Sequence, residues 1–461
     1  MVNRIKQFVA EQAIKNIIRL LPRFSKNTLI KLTYLAERVM TKEDPVVLKA
    51  IRETRKYFLE NHPSIEIARK VFTQLSPHCR RKFVENLFIN AMFKGVDKAK
   101  EFKEEYGFEP PWFLVLSPTM RCNLNCLGCS TRKYSKSEDL DIEIVDRILT
   151  EAKQKMGIHF IVTQGGEMFV YEDMWKLYQK HNDVYFQVYT NGTLIDKEAA
   201  RRLAELGNVA PIISLEGFKE QTDARRGKGV FDKCMQAMDN LKEEGVLFGA
   251  SITHTRVNSD IVTSLDFMDM LISKGAFIVW YFQFLPIGKD PDVNLMPTPL
   301  QRQRLRNFVE EVRATRPIFI GDFWNDGPFV GGCIAAGRRY VHINHKGDVE
   351  PCAFVHFAVD NIREKSLIEA LQSDFFKFLR SKQPFAENLY APCMIIDNPY
   401  ILREAVKNFK AYPTHEGAEK VLEGEVAQHL DRYSSELKEL TKSAWEEWKA
   451  SRESPEISQP V

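Results

Sequence analysis

"SPTMRCNLNCLGCST", residues 117–131, is the stretch on which the reading of this chain turns. Cys122, Cys126 and Cys129 fall within eight residues, directly after the apolar run "WFLVLS" (112–117). A structural zinc site draws four ligands, usually in two pairs, yet after Cys129 the next His or Cys is His159. Three thiolates from one loop suit an iron–sulfur cluster of four irons, one of which keeps no protein ligand. An open metal position marks a catalytic rather than a structural centre.

The bulk properties narrow the setting. At 461 residues the chain exceeds what one hydrophobic core usually serves. A net charge of +3 gives no argument for a nucleic-acid partner. The charge is uneven: residues 1–35 hold seven basic side chains (Arg4, Lys6, Lys15, Arg19, Arg23, Lys26, Lys31) against Glu11 alone. No segment reaches the roughly 18 consecutive apolar residues of a membrane span, and the first residues lack the apolar core and cleavage site of a signal peptide. Eight cysteines, three of them crowded, do not form a disulfide framework, so the expected compartment is a reducing cytoplasm.

Residues 1–108 read as helices, with "PPW" (110–112) marking a boundary. From there the chain alternates short apolar runs with amphipathic stretches. The candidate strands are 112–117, 159–164, 184–189, 209–214, 247–253 and 277–284; helical patterns at 141–156, 195–206, 229–244 and 260–273 lie between them. Six strand-then-helix units predict an α/β fold, a partial (β/α)6 barrel over 109–300, with chemistry at the C-terminal ends of the strands. Polar or glycine-rich exceptions fall there each time: the cysteine loop, "GGE" (165–167), "TNG" (190–192), "SLEG" (214–217), "THTRVN" (253–258) and "PIG" (286–288). Residues 301–415 read as a small cluster-binding α+β extension, and 416–461 as a helix with a disordered tail after Ser454.

C-x3-C-x2-C after the first strand of such a barrel resembles the signature of the radical S-adenosylmethionine (radical SAM) superfamily, over roughly 112–290. The resemblance implies a [4Fe–4S] cluster on Cys122, Cys126 and Cys129 whose free iron binds SAM. It also implies reductive cleavage to a 5′-deoxyadenosyl radical, and an electron donor such as flavodoxin or ferredoxin. Gly165, Gly166 and Glu167 resemble the family's "GGE" motif. The glycines would let backbone approach the cofactor and Glu167 would accept from the SAM ammonium. Thr190, Asn191, Ser214 and Glu216 sit where the family contacts ribose and methionine, and Arg226 (with Arg225 as rival) would meet the carboxylate. Ser251, with Thr253 and Asn258, would line the adenosine side. No catalytic residue is assigned; Tyr281 and Gln283 are expected to face the cavity, and His342 to be structural.

A second set follows. Cys333 and Cys352 enclose eighteen residues, with Gly347 five before Cys352 in a hairpin turning at Lys346-Gly347-Asp348. This resembles the start of twitch and SPASM extensions, which bind auxiliary iron–sulfur clusters. Cys393 is the further cysteine, too few for two auxiliary clusters, so one is expected, with Asp397, a histidine or substrate as the fourth ligand.

For substrate, the basic amphipathic segment 1–35 suggests a lipid or isoprenoid met at the inner membrane face, or peripheral membrane contact. Gly128 points weakly the same way. Twitch and SPASM extensions suggest instead peptide or protein maturation, and an iron–sulfur electron carrier is the remote alternative. A helical cap packed on the barrel is the plainer account of the N-terminal region.

Overall fold

The computed structural model describes residues 26–39, 45–129, 139–288 and 291–453. Expectations for 1–25 and for the tail beyond Ser454 lie outside these residues.

The six expected strands form, each within two residues of its expected start: β1 (Phe113–Thr119), β2 (Phe160–Gly165), β3 (Tyr185–Thr190), β4 (Val209–Leu215), β5 (Gly249–His254) and β6 (Ile278–Gln283). Their near-continuous apolar runs fit burial on both faces, as parallel strands covered by helices require. Three further strands join the same sheet: β7 (Phe319–Asp322), β8 (Tyr340–Ile343) and β9 (Val349–Glu350). The order is β7-β6-β5-β4-β3-β2-β1-β8-β9, parallel except for β9, which pairs antiparallel with β8. The barrel is therefore open, with the expected hairpin at 340–350 continuing it beside β1.

Connecting helices 142–156, 197–206 and 265–274 cover the outside, and local chemistry fixes where two of them begin. Asp196 accepts from the Ala199 N–H and Ser264 from the Phe267 N–H, satisfying donors that no helical carbonyl reaches.

Helices between 64 and 106 close the N-terminal ends of the strands. Lys70 Nζ donates to the Pro317 carbonyl just before β7, Asn86 Nδ2 to the Val184 carbonyl just before β3, and Phe83 meets Tyr185 edge-on. This region is thus a cap on the face away from the cysteine loop. At the other end of the chain, helix 424–453 packs along helix 299–315, and its Ser434 hydroxyl donates to the Asp397 carbonyl. Among the described residues no helix is long and apolar enough to cross a membrane.

Candidate functional site

The cysteine loop sits at the C-terminal end of the sheet, held from three sides. From β2, Gly166 and Glu167 donate backbone N–H to the carbonyls of Thr119 (2.9 Å) and Arg121 (2.7 Å). A Cβ on Gly166 would stand 2.0 Å from the Arg121 oxygen, so glycine is required by the backbone the loop presses against. From β3, Asn191 Nδ2 donates to Asn123 Oδ1 (2.8 Å) and lies 3.7 Å from the Cys122 sulfur. From the helix after β4 (Lys219–Arg226), the Arg225 carbonyl accepts the Leu127 N–H (2.9 Å). Gly128 adopts a left-handed φ of 68°, and a Cβ there would meet the Phe284 ring at 2.9 Å; local packing accounts for this glycine without reference to substrate.

Glu167 is fully buried and its carboxylate is already engaged. Oε1 accepts from the Thr190 hydroxyl (2.7 Å) and Phe169 N–H (3.1 Å), and Oε2 from Asn191 N–H (2.7 Å). Burial pushes its pKa up, and these donors work against that. It does not line the cavity beside the cysteines; it ties the ends of β2 and β3 together beneath it. Glu216 is likewise inside, binding both Arg225 (2.5 Å) and Arg226 (2.6 Å) through Oε1. Burial raises the Cys126 thiol, and those two guanidiniums oppose the rise.

These elements enclose a cavity of about 270 Å³. All three cysteines line it, with Gly165, Gly166, Thr190, Asn191, Ser214, Ser251, Thr253, Arg225 and Arg226. The structure thus brings the expected residues together, save that Glu167 and Glu216 act from behind and Asn258 holds the loop by donating to the Glu216 and Thr253 carbonyls. Among the described residues, Arg225 Nε is buried without a partner beside the cavity, whereas Gln283, two residues on from Tyr281 along β6, turns its amide to the outer layer, where its Oε1 accepts from the Tyr433 hydroxyl (3.3 Å). Three thiols beside two guanidiniums, one with an unspent donor, fit a cluster carrying an anionic cofactor group.

Tyr281 departs from expectation: its hydroxyl donates to the Val262 carbonyl in the outer helical layer, and Phe282 takes the inward place. Alternation along a strand allows only one of the two inside. The histidines were missed as cavity residues. His342 lines it between Ser117 Oγ (2.7 Å) and Glu350 (2.5 Å), and His356 and His415 stack with ring centroids 4.0 Å apart. They come from β8 and two later loops, and no sequence spacing links them.

Cys333, Cys352 and Cys393 line a second cavity, about 570 Å³, walled by Trp280, Phe323, Trp324 and Phe354; Phe354 also borders the first. Burial pushes Cys352 up to about 11 and Cys393 up to about 12, and Cys333 well above its ordinary range, with further increments from neighbouring thiols or carboxylates. Thiols so placed ionise when metal displaces the proton. Among the described residues no three His, Cys, Asp or Glu side chains converge on one ion, a demand that a cluster's widely spaced thiolates do not make. Asp397 is not free to be a fourth ligand. Fully buried, it binds Arg302 through both oxygens (2.6 and 3.1 Å) and accepts the Cys393 N–H (2.9 Å), fixing that cysteine's loop.

Comparison with known proteins gives the following likenesses. The sequence family described as the radical SAM superfamily matches residues 116–268, and one described as an iron–sulfur cluster-binding domain matches 333–394. The mycofactocin maturase MftC of Mycolicibacterium smegmatis is 30% identical over 299 residues, 60% of this chain and 75% of that protein. The Fe-coproporphyrin III synthase of Methanosarcina barkeri is 32% identical over 167 residues, 34% of this chain and 40% of its own. Among solved structures, Streptococcus suis SuiB bound to its precursor peptide SuiA shares the fold with a TM-score of 0.54 at 17% identity, over 72% of this chain and 80% of that one.

Proposed function

The chain belongs to the radical SAM family, and from that premise we propose that it matures a peptide or protein substrate. It is an enzyme that uses a [4Fe–4S] cluster and SAM, and its second domain implies auxiliary iron–sulfur chemistry. The observation that carries the choice of substrate class is the 30% identity to a maturase along three quarters of that protein's length.

When bound and reduced by one electron, the cluster and SAM supply a 5′-deoxyadenosyl radical that removes a hydrogen atom from substrate. In this proposal Cys122, Cys126 and Cys129 hold the cluster. Arg225 and Arg226, kept in place by Glu216, meet the cofactor's carboxylate. Ser214, Thr190 and Ser251 take its hydroxyl and amino groups, and Glu167 acts through Thr190 and Asn191 by fixing their orientation. Cys333, Cys352 and Cys393 hold the auxiliary cluster. Residues 109–300 would be the radical-forming unit and 301–415 the auxiliary one, served by a flavodoxin- or ferredoxin-like donor.

A tetrapyrrole substrate is the second reading, favoured by likeness to the Fe-coproporphyrin III synthase and, at 23% identity, to the AdoMet-dependent heme synthase of Oleidesulfovibrio alaskensis. The lipid reading rests on residues 1–35, of which only 26–35 are described.

The test incubates reconstituted, dithionite-reduced protein and SAM with a library of short peptides, or with a panel of iron tetrapyrroles that contains Fe-coproporphyrin III and forms still carrying the groups lost in making it. Peptide maturation predicts a mass change in a peptide matched by 5′-deoxyadenosine. Conversion of a tetrapyrrole alone would replace this reading with the second.

A further inference from the structure

Tyr340 has no assigned role, yet its side chain reaches the second cysteine set from inside the sheet. It stands on β8, with its ring stacked on Phe113 of β1 (centroids 5.2 Å apart, planes 13° apart) and edge-on to Phe323 (6.2 Å). These contacts leave the buried phenol one polar outlet, and its oxygen lies 2.9 Å from the Cys352 sulfur. Between two protonated groups either atom could donate. A metal-bound sulfur is a thiolate and can only accept, so in the loaded protein the tyrosine must be the donor.

We propose that Tyr340 is a positioning and tuning residue for the auxiliary cluster, whose O–H···S bond to Cys352 raises that cluster's reduction potential. Reduction adds one electron, and hence one negative charge, to the cluster and its thiolates. A donated O–H dipole stabilises the more negative state more than the less negative one, which favours uptake of the electron. The chemistry is one-electron transfer at a bound cluster; Tyr340 keeps its proton and no covalent bond to it changes. The surroundings make this donor count. Trp324, Phe354 and Phe323 wall the cavity, and in such a low-dielectric setting one oriented dipole acts more strongly than it would in water. The same strand carries His342, two residues on, into the first cavity, so β8 spans both cofactor sites. This inference rests on the auxiliary cluster and not on the peptide reading.

The test is a redox titration of reconstituted holoenzyme followed by electron paramagnetic resonance, in which the cluster perturbed by SAM serves as internal reference. Tyr340→Phe removes only the hydroxyl and keeps the ring stacked on Phe113. The expected result is a shift of the auxiliary potential to more negative values with iron per chain unchanged and the reference potential unmoved. Phe113→Leu disturbs the stack but leaves the hydroxyl, and should not reproduce the shift. An unchanged or more positive auxiliary potential in Tyr340→Phe overturns the proposal. So does loss of the auxiliary iron, which would make Tyr340 a structural support, or an equal shift in Phe113→Leu, which would trace the effect to packing.

Discussion

Cys122, Cys126 and Cys129 come from one loop, while Cys333, Cys352 and Cys393 arrive from three segments across sixty residues, and the two sites differ accordingly. The first loop is held by backbone and amide bonds from the segments that follow β2, β3 and β4, its Cys122 is exposed, and guanidiniums stand beside Cys126. The second set stands among aromatic rings, Cys352 buried and Cys333 and Cys393 half-buried, with Tyr340 as a hydroxyl donor and a fully buried ion pair behind Cys393. An open, polar, cationic site suits a cluster that must admit an anionic cofactor group. An apolar, aromatic-walled one suits a cluster that exchanges electrons or stands beside substrate.

The largest effect that sharpens this contrast is in the first site. Cys126→Ala should abolish 5′-deoxyadenosine formation and reduce reconstituted iron from about eight to about four per chain. Cys352→Ala should also leave about four irons, but the surviving cluster should be the one whose spectrum SAM perturbs. If both variants lost all iron, the sites would not be separate folding units and the contrast would fail.

Arg302→Leu comes next. It leaves Asp397 charged and buried, which typically costs about 3–5 kcal/mol. Chemical denaturation should show a loss of that order, with Arg302→Lys recovering part of it. Glu167→Ala strands the Asn191 N–H and Thr190 hydroxyl, at roughly 1–3 kcal/mol per unpaired group. The expected readout is a lower denaturation midpoint together with weaker SAM binding, because Asn191 also holds Asn123 of the cysteine loop.

The smallest effect is in pH. Burial lowers His415 to about 4, below its ordinary 6.5. The unfolded chain therefore takes up this proton first as pH falls. Stability is complete above about 6.5 and declines down to about 4, by roughly 2 kcal/mol at pH 5. His415→Gln should flatten that part of the profile; an unaltered slope would remove His415 as its source.

How much of this was legible follows the same division. The six strand–helix units were readable because parallel strands buried on both faces leave continuous apolar runs. The first trio was readable because its ligands are neighbours in sequence. β7 was missed: "FIGD" has four residues, contains a glycine and pairs only with β6, so its strand character comes from its partner. The expected hairpin formed, but nothing in 340–350 indicates that it pairs parallel with Phe113–Leu116. Glu167 and Glu216 were found as residues, while their inward orientation depends on Thr190, Asn191, Arg225 and Arg226, brought close only by the fold. The histidines of the cavity, and Arg302 behind Cys393, lie far apart in sequence and left no local signal.

The account's central claim is radical formation at the first trio. The most direct measurement is to reconstitute the protein anaerobically, count iron, reduce it and quantify 5′-deoxyadenosine released from SAM. The expected result is about eight irons per chain and 5′-deoxyadenosine that disappears in Cys126→Ala. Iron-loaded, reduced protein that leaves SAM intact would contradict it.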